Sequence, residues 1–468
     1  MHCQPKTMVV EDSVVSDTPG AAEPGNLRVQ DKRRRTNSKG NSVIRFGIFY
    51  LTLLLFAFED FLNIGAGQTD ELVTATVLWI FNYADLALFL ILGYCIAFDR
   101  SFQACVFGRV GRAFLAFIAG YYILGVIFGN QVEYIYRDLR IWGWGFAGLA
   151  LFRALMRFRH PCAHILAICF GSAAIMVASA LSAKSQMTLQ ASLDSERVWD
   201  LDVFRYAEIL VPLLGILLGI GALRPVYLAG ALVALAADFY ACVLMAATRS
   251  LALSLAIVCI CAALGCAYKR NQQSITARLG GPGVWIAIVV LGAVVLIAAT
   301  LIGTAFSDST ALASRLAGDD DNGRIEELMD ALRQLGPFKT ITGGGLGYVF
   351  ESTVGYTSLT LHIGTFIFLL KFGVVPFALI VLLLYVYLPC KFLQALFRPL
   401  AFNPNFRSAL LIVLPGIFAW IAVLSISGGY DVYCSVTLGL LVGVFGEIRR
   451  TGFTRLLPAG LGFAGLRL

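Results

Sequence analysis

The sequence predicts an all-α integral membrane protein of about twelve transmembrane helices, with a large periplasmic loop before the tenth span. Hydrophobic residues make up 58% of the 468-residue chain and charged residues 14%, at a mean hydropathy of +0.79. A soluble domain carries about 25% charged residues, so a water-soluble enzyme is excluded on composition. Apolar runs of roughly the 20 residues that cross a bilayer recur along most of the length. The net charge is +7, and no nucleic-acid partner is expected. In a membrane protein, the side on which each charge lies matters more.

Residues 1–41 are polar, rich in Ser, Pro, Gly and charge, and end in the cluster Lys32, Arg33, Arg34, Arg35 and Lys39. Too little apolar surface is present to fold alone. This segment reads as a disordered cytoplasmic tail rather than a cleavable signal peptide. Nine spans are expected within 42–306, at 42–58, 72–98, 113–129, 141–156, 164–183, 207–223, 226–247, 251–268 and 284–306. The fourth is short for a bilayer. Arg224-Pro225 is all that separates the sixth and seventh, which predicts a tight hairpin. Three more spans, at 374–397, 410–427 and 432–446, follow the loop at 307–373. Residues 447–468 form a second cytoplasmic tail.

Charge supports the count. Alternating sides from a cytoplasmic N-terminus places the tail cluster inside, with Arg100, Arg109, Arg112, Arg153, Arg157, Arg159, Lys269, Arg270 and Arg278. Acidic residues fall mostly outside, with Asp85 and Asp238 left within helices. That is the positive-inside pattern with both termini cytoplasmic. The 11 cysteines include no CxxC pair, and Cys95, Cys169, Cys242, Cys259, Cys261 and Cys266 lie in apolar runs. Helix packing, not metal ligation, is their expected role.

Two outer connections are long, 184–206 and 307–373, and such loops on a rigid scaffold are where function is usually placed. In the second, Asp319-Asp320-Asp321-Asn322 offers N-cap residues ahead of a helix over 324–335. Ile325, Leu328, Met329, Leu332 and Leu335 fall on one helical face, with Glu326, Glu327, Asp330, Arg333 and Gln334 on the other. Gly336-Pro337 is expected to stop it. The face fits an amphipathic helix lying on the outer surface of the bundle. Arg324 stands in the first turn, where a cation opposes the helix dipole, which hints at an anionic partner. Four glycines in Gly343–Gly347 would either let the backbone approach another surface closely or form an N–H nest. The segment lacks the Lys-Ser/Thr of a phosphate-binding P-loop. Residues 357–372, apolar and carrying His362, should dip into the outer leaflet or lie along it without crossing, and Lys371-Phe372-Gly373 separates them from the tenth span. By residue type alone, His362 fits a packed, hydrogen-bonded histidine as well as a functional one. Arg249, at an outer helix end, is either paired and functional or snorkels to lipid head groups.

Three features in this order carry a resemblance: Thr248-Arg249-Ser250 at an outer helix end; Asn322-Gly323-Arg324 with the amphipathic helix and Gly343–Gly347; and His362 leading into Lys371-Phe372-Gly373. Together they resemble the O-antigen ligase and O-antigen polymerase superfamily of bacterial membrane proteins (Wzy and WaaL types), over roughly 207–397. The chain departs from the family pattern at Ile363, where Asn is frequent, and at Lys371-Phe372-Gly373, where an acidic residue often precedes the glycine.

The resemblance implies a metal-independent, inverting glycosyltransferase of the bacterial inner membrane, with no cofactor. Its donor would be a glycan on undecaprenyl diphosphate, polymerised as lipid-linked repeat units into surface polysaccharide or exopolysaccharide at the periplasmic face. It implies Arg249 and Arg324 on the diphosphate, with Arg315 a weaker candidate, and His362 as the catalytic base toward the acceptor hydroxyl. Gly343, Gly345 and Gly347 would be structural. Partners would be the lipid-linked oligosaccharide, membrane lipids, a flippase and a chain-length regulator. Transfer to a lipid acceptor by an O-antigen ligase is the alternative. A transporter or flippase is a further one, since Asp238 could be a proton site, but it lacks the internal repeats usual in that class.

Overall fold

The computed structural model describes residues 47–55, 76–78, 81–158, 160–189, 201–221, 225–241, 254–261, 321–351, 357–358, 361, 364–427 and 430–452. Their architecture is helical. In chain order the helices are α1 (47–55), α2 (Tyr83–Phe98), α3 (Arg100–Val106), α4 (Arg109–Ile127), α5 (Val132–Leu155), α6 (Pro161–Leu189), α7 (Leu201–Gly221), α8 (Pro225–Asp238) and α9 (254–261). They continue with α10 (Asp321–Thr342), α11 (Ile367–Phe372), α12 (Val374–Phe397), α13 (Pro404–Ser427) and α14 (Val432–Thr451). Among the described residues, five helices are long and apolar enough to cross a membrane: Arg109–Ile127, Pro161–Ser182, Val374–Phe397, Pro404–Ser425 and Val432–Thr451. The chain is a membrane-embedded helical protein.

The helices around the expected 184–206 loop reach into it, to Leu189 and from Leu201, and two other expected spans differ most in their bounds. The second begins at Tyr83, because Thr76–Leu78 and Phe81–Asn82 pair as a short antiparallel hairpin; β-branched and aromatic residues suit that ladder. The helix at the fourth is longer than expected: α5 starts at Val132 and runs 24 residues. Its polar first turns hid it from a hydropathy reading, and they are stabilised inside the fold. Arg140 there pairs with buried Asp85 of α2 at 2.8 Å, so Asp85 is no lone intramembrane charge.

The core is built by helices that nearly touch. α5 and α14 meet at glycines: a Cβ on Gly148 would stand 2.0 Å from the Val436 carbonyl oxygen, and one on Gly439 2.0 Å from that of Gly145. With Gly443, Gly439 makes the small-xxx-small spacing that lets membrane helices pack backbone to backbone. α7 and α13 meet the same way at Gly215 and Gly416, beside Pro212 and Pro415. Cys95, Cys162, Cys169 and Cys434 are buried free thiols within this packing.

The amphipathic helix stops where expected: Gly336, at φ 69° and ψ 167°, leaves helical geometry, and a second helical stretch begins at Pro337, so α10 is two helices joined at a kink. Its buried face differs from the expected one. The buried edge is Glu327, Ala331 and Leu335, spaced i, i+4, i+8, whereas Met329 is 45% exposed. The helix is thus rolled toward Glu327.

Candidate functional site

Of the predicted site residues, Arg249, Arg315 and His362 lie outside the described residues. Arg324 falls in the first turn of α10, and its side chain too lies outside the described set. The glycine loop is fully placed, and it organises what surrounds it.

Gly343, Gly345 and Gly347 all take positive φ, at 83°, 77° and 76°, a region open to glycine at little cost. The alternation folds the loop tightly against three elements. A Cβ on Gly345 would lie 2.4 Å from the Gly125 nitrogen of α4, and one on Gly347 2.6 Å from the Ile135 nitrogen of α5. Gly343 interlocks with Gly373, the turn between α11 and α12: a Cβ on Gly373 would meet the Gly343 nitrogen at 2.6 Å.

Every amide in the loop is occupied. Gly343 donates to the Lys339 carbonyl (2.7 Å), Gly344 to Leu370 (2.7 Å), Gly345 to Lys371 (3.1 Å) and Leu346 to Tyr121 (3.0 Å). Gly347 donates to Asp138 Oδ2 at 2.6 Å. The Asn130 side-chain amide donates to the Gly344 and Leu346 carbonyls at 2.9 and 2.8 Å. No amide between Gly343 and Gly347 is left for an anion, so the loop is a close-approach device and not an N–H nest.

Beneath the loop lies a charge pair. Lys371, on α11, is fully buried and its Nζ stands 2.5 Å from Asp138 Oδ2 of α5, itself fully buried. The same ammonium lies 3.5 Å from the Tyr348 carbonyl and 5.4 Å from the Tyr430 ring centroid. Burial pulls the Lys371 pKa down and the Asp138 carboxylate opposes that shift. Burial, followed by the Asp138 charge, pushes the Tyr430 phenol well above its usual value. Sequence reading passed over Asp138 and used Lys371 only as a separator and as part of the Lys371-Phe372-Gly373 motif, not as a buried charge. The available signal was a lone lysine inside Ile367–Phe372, an otherwise apolar helix without room to snorkel.

The chain on both sides of His362 is also positioned. The backbone strand Phe350–Glu351 pairs antiparallel with Thr357–Ser358. The Gln334 side chain of α10 receives the Glu351 N–H at 2.8 Å and donates back to its carbonyl at 2.5 Å. Leu361 is buried, and every residue of α11 is buried too. Thr365 meets the Tyr385 hydroxyl at 2.7 Å and that of Ser425 at 3.2 Å. Tyr385 sits in a π-helical stretch of α12, Leu382–Tyr387, a form frequent at functional sites. Tyr385 is eleven residues beyond Val374, about 16 Å along the helix. Thr365, just ahead of α11, is therefore held against α12 and α13, and α11 itself is enclosed by protein.

Among the described residues, no group of three or more His, Cys, Asp or Glu could hold a metal ion. The chain matches no protein-family model, no characterised protein and no solved structure.

Proposed function

We propose that the chain is a glycosyltransferase of about twelve spans that polymerises repeat units carried on a polyprenyl diphosphate, at the outer face of the bacterial inner membrane. One observation carries the reading. The α10 backbone that bears Arg324 and the chain flanking His362 are tied into one body, by the Gln334–Glu351 hydrogen bonds, the 350–358 hairpin and the Gly343–Gly373 interlock. This supports a reading in which the cation and the base that a diphosphate-leaving reaction needs belong to one arm.

In this reading Arg249 and Arg324, with Arg315, hold the diphosphate, since a guanidinium is always charged and grips phosphate in a bidentate fork. They offset the negative charge that develops on the leaving group, a contribution of several kcal/mol in a partly dry site. His362 accepts the proton of the acceptor hydroxyl as its oxygen attacks the anomeric carbon and the C–O bond to the diphosphate breaks. The acceptor is a second lipid-linked glycan, or a different lipid in the ligase variant.

The test is purified chain in vesicles of neutral phospholipid with lipid-linked oligosaccharide and no ion gradient. Longer lipid-linked glycans are expected. A single transfer to an added acceptor lipid would favour the ligase, and unchanged donor would end both.

A further inference from the structure

The outer arm, α10 through α11, meets the bundle through close glycine contacts, through the Asn130 side-chain amide on the Gly344 and Leu346 carbonyls, and through the Tyr121 hydroxyl, which donates to the Phe372 carbonyl. A charged contact, buried on both sides, adds to these neutral ones. Asp138 Oδ2 receives the Gly347 amide from the loop and the Lys371 ammonium from α11, so a single oxygen ties α5 to two parts of the arm. Tyr430, on the link from α13 to α14, closes the space over the ammonium.

A buried ion pair contributes little net stability, because desolvation cancels most of the attraction. What such a pair does supply is geometry, since a slip of the arm would leave a charge unpaired in a dry site. We infer that Asp138 and Lys371 are positioning residues: the Asp138–Lys371–Gly347 junction sets where the arm of α10 and α11 stands against α5, and with it the geometry of the proposed reaction. The positioning claim rests on the proposed glycosyl transfer, whereas the junction itself does not. Neither residue touches substrate.

The experiment uses full-length protein in vesicles, with two readouts. Hydrogen exchange of the peptide containing Gly343–Gly347 reports the junction without reference to activity. The kcat for polymer formation and the KM for the lipid-linked donor report the reaction. Lys371→Met and Asp138→Asn are expected to speed exchange of the loop amides at least tenfold. They should lower kcat tenfold or more while KM moves less than threefold. The double variant Asp138→Leu with Lys371→Met removes both charges and protects the measurement against misfolding. It should regain wild-type membrane abundance and thermal midpoint but not kcat, whereas a merely structural pair would regain both.

Unchanged loop exchange in Lys371→Met overturns the junction. Faster exchange with wild-type kcat, or full kcat in the double variant, overturns the positioning role. Wild-type protein that forms no polymer removes the positioning role together with the functional reading, while the exchange result still decides the junction.

Discussion

Lys371 and the arginines show how differently one kind of charge can be used in this chain. Lys371 is spent internally on Asp138, while Arg324 stands at the start of α10, where its charge works against the helix. If Arg249 and Arg324 grip a diphosphate, lysine at either position keeps charge but loses the fork. Arg249→Lys and Arg324→Lys are expected to accumulate normally in membranes and form no long polymer, read by electrophoresis of the lipid-linked glycan. Full-length polymer from Arg324→Ala would remove that residue from the site. His362→Ala should cut polymer per unit protein by about a hundred- to ten-thousandfold, and normal output from His362→Leu would end its role as base. The glycines were legible at this scale and the ion pair was not, because glycine runs announce themselves locally. Asp138 and Lys371 are 233 positions apart, and only folding makes them neighbours.

At the scale of elements, packing depends on what glycine leaves out. Gly439→Leu would drive a side chain into the Gly145 carbonyl, backbone that cannot turn aside. A loss of about 1–3 kcal/mol or more is expected, seen as a lower thermal midpoint in detergent. Gly446→Ala, on the same helix with nothing within 4 Å, should leave the midpoint unchanged or raise it slightly. The α2–α3 corner has its own signature. Asp99 caps α3 through the Ser101 and Phe102 amides at 2.9 and 3.1 Å and pairs with Arg157 at 2.8 Å. Burial favours the neutral acid, but the Phe102 amide and Arg157 outweigh it and hold the pKa below the ordinary 3.8. A depressed carboxylate pKa stabilises the fold above the unfolded value, and that contribution fades as pH falls through the lower folded value. The thermal midpoint should therefore drop below about pH 4, with a flatter acid limb in Asp99→Ala, which also loses about 1 kcal/mol of capping at pH 6. Equal slopes in the two proteins would place the acid sensitivity elsewhere.

For the whole molecule, the distribution of basic residues predicts which segments cross. Export-dependent reporters fused at Asp320 should be active, and those at Lys39 and Gln272 silent. Activity at Gln272 would sink the twelve-span topology. The helical membrane class was determined by the sequence alone, because hydrocarbon demands long apolar helices and that demand is written residue by residue. So were the glycine loop and the amphipathic segment near 324–335, whose signals are local. Tertiary structure alone decided the true start of α5, the roll of α10 onto Glu327, the interlock of Gly343 with Gly373, and the pairing of Lys371 with Asp138. Each depends on residues far apart in the chain being brought into a dry interior. There a polar group is tolerated only beside its partner, and no periodicity in the sequence names that partner.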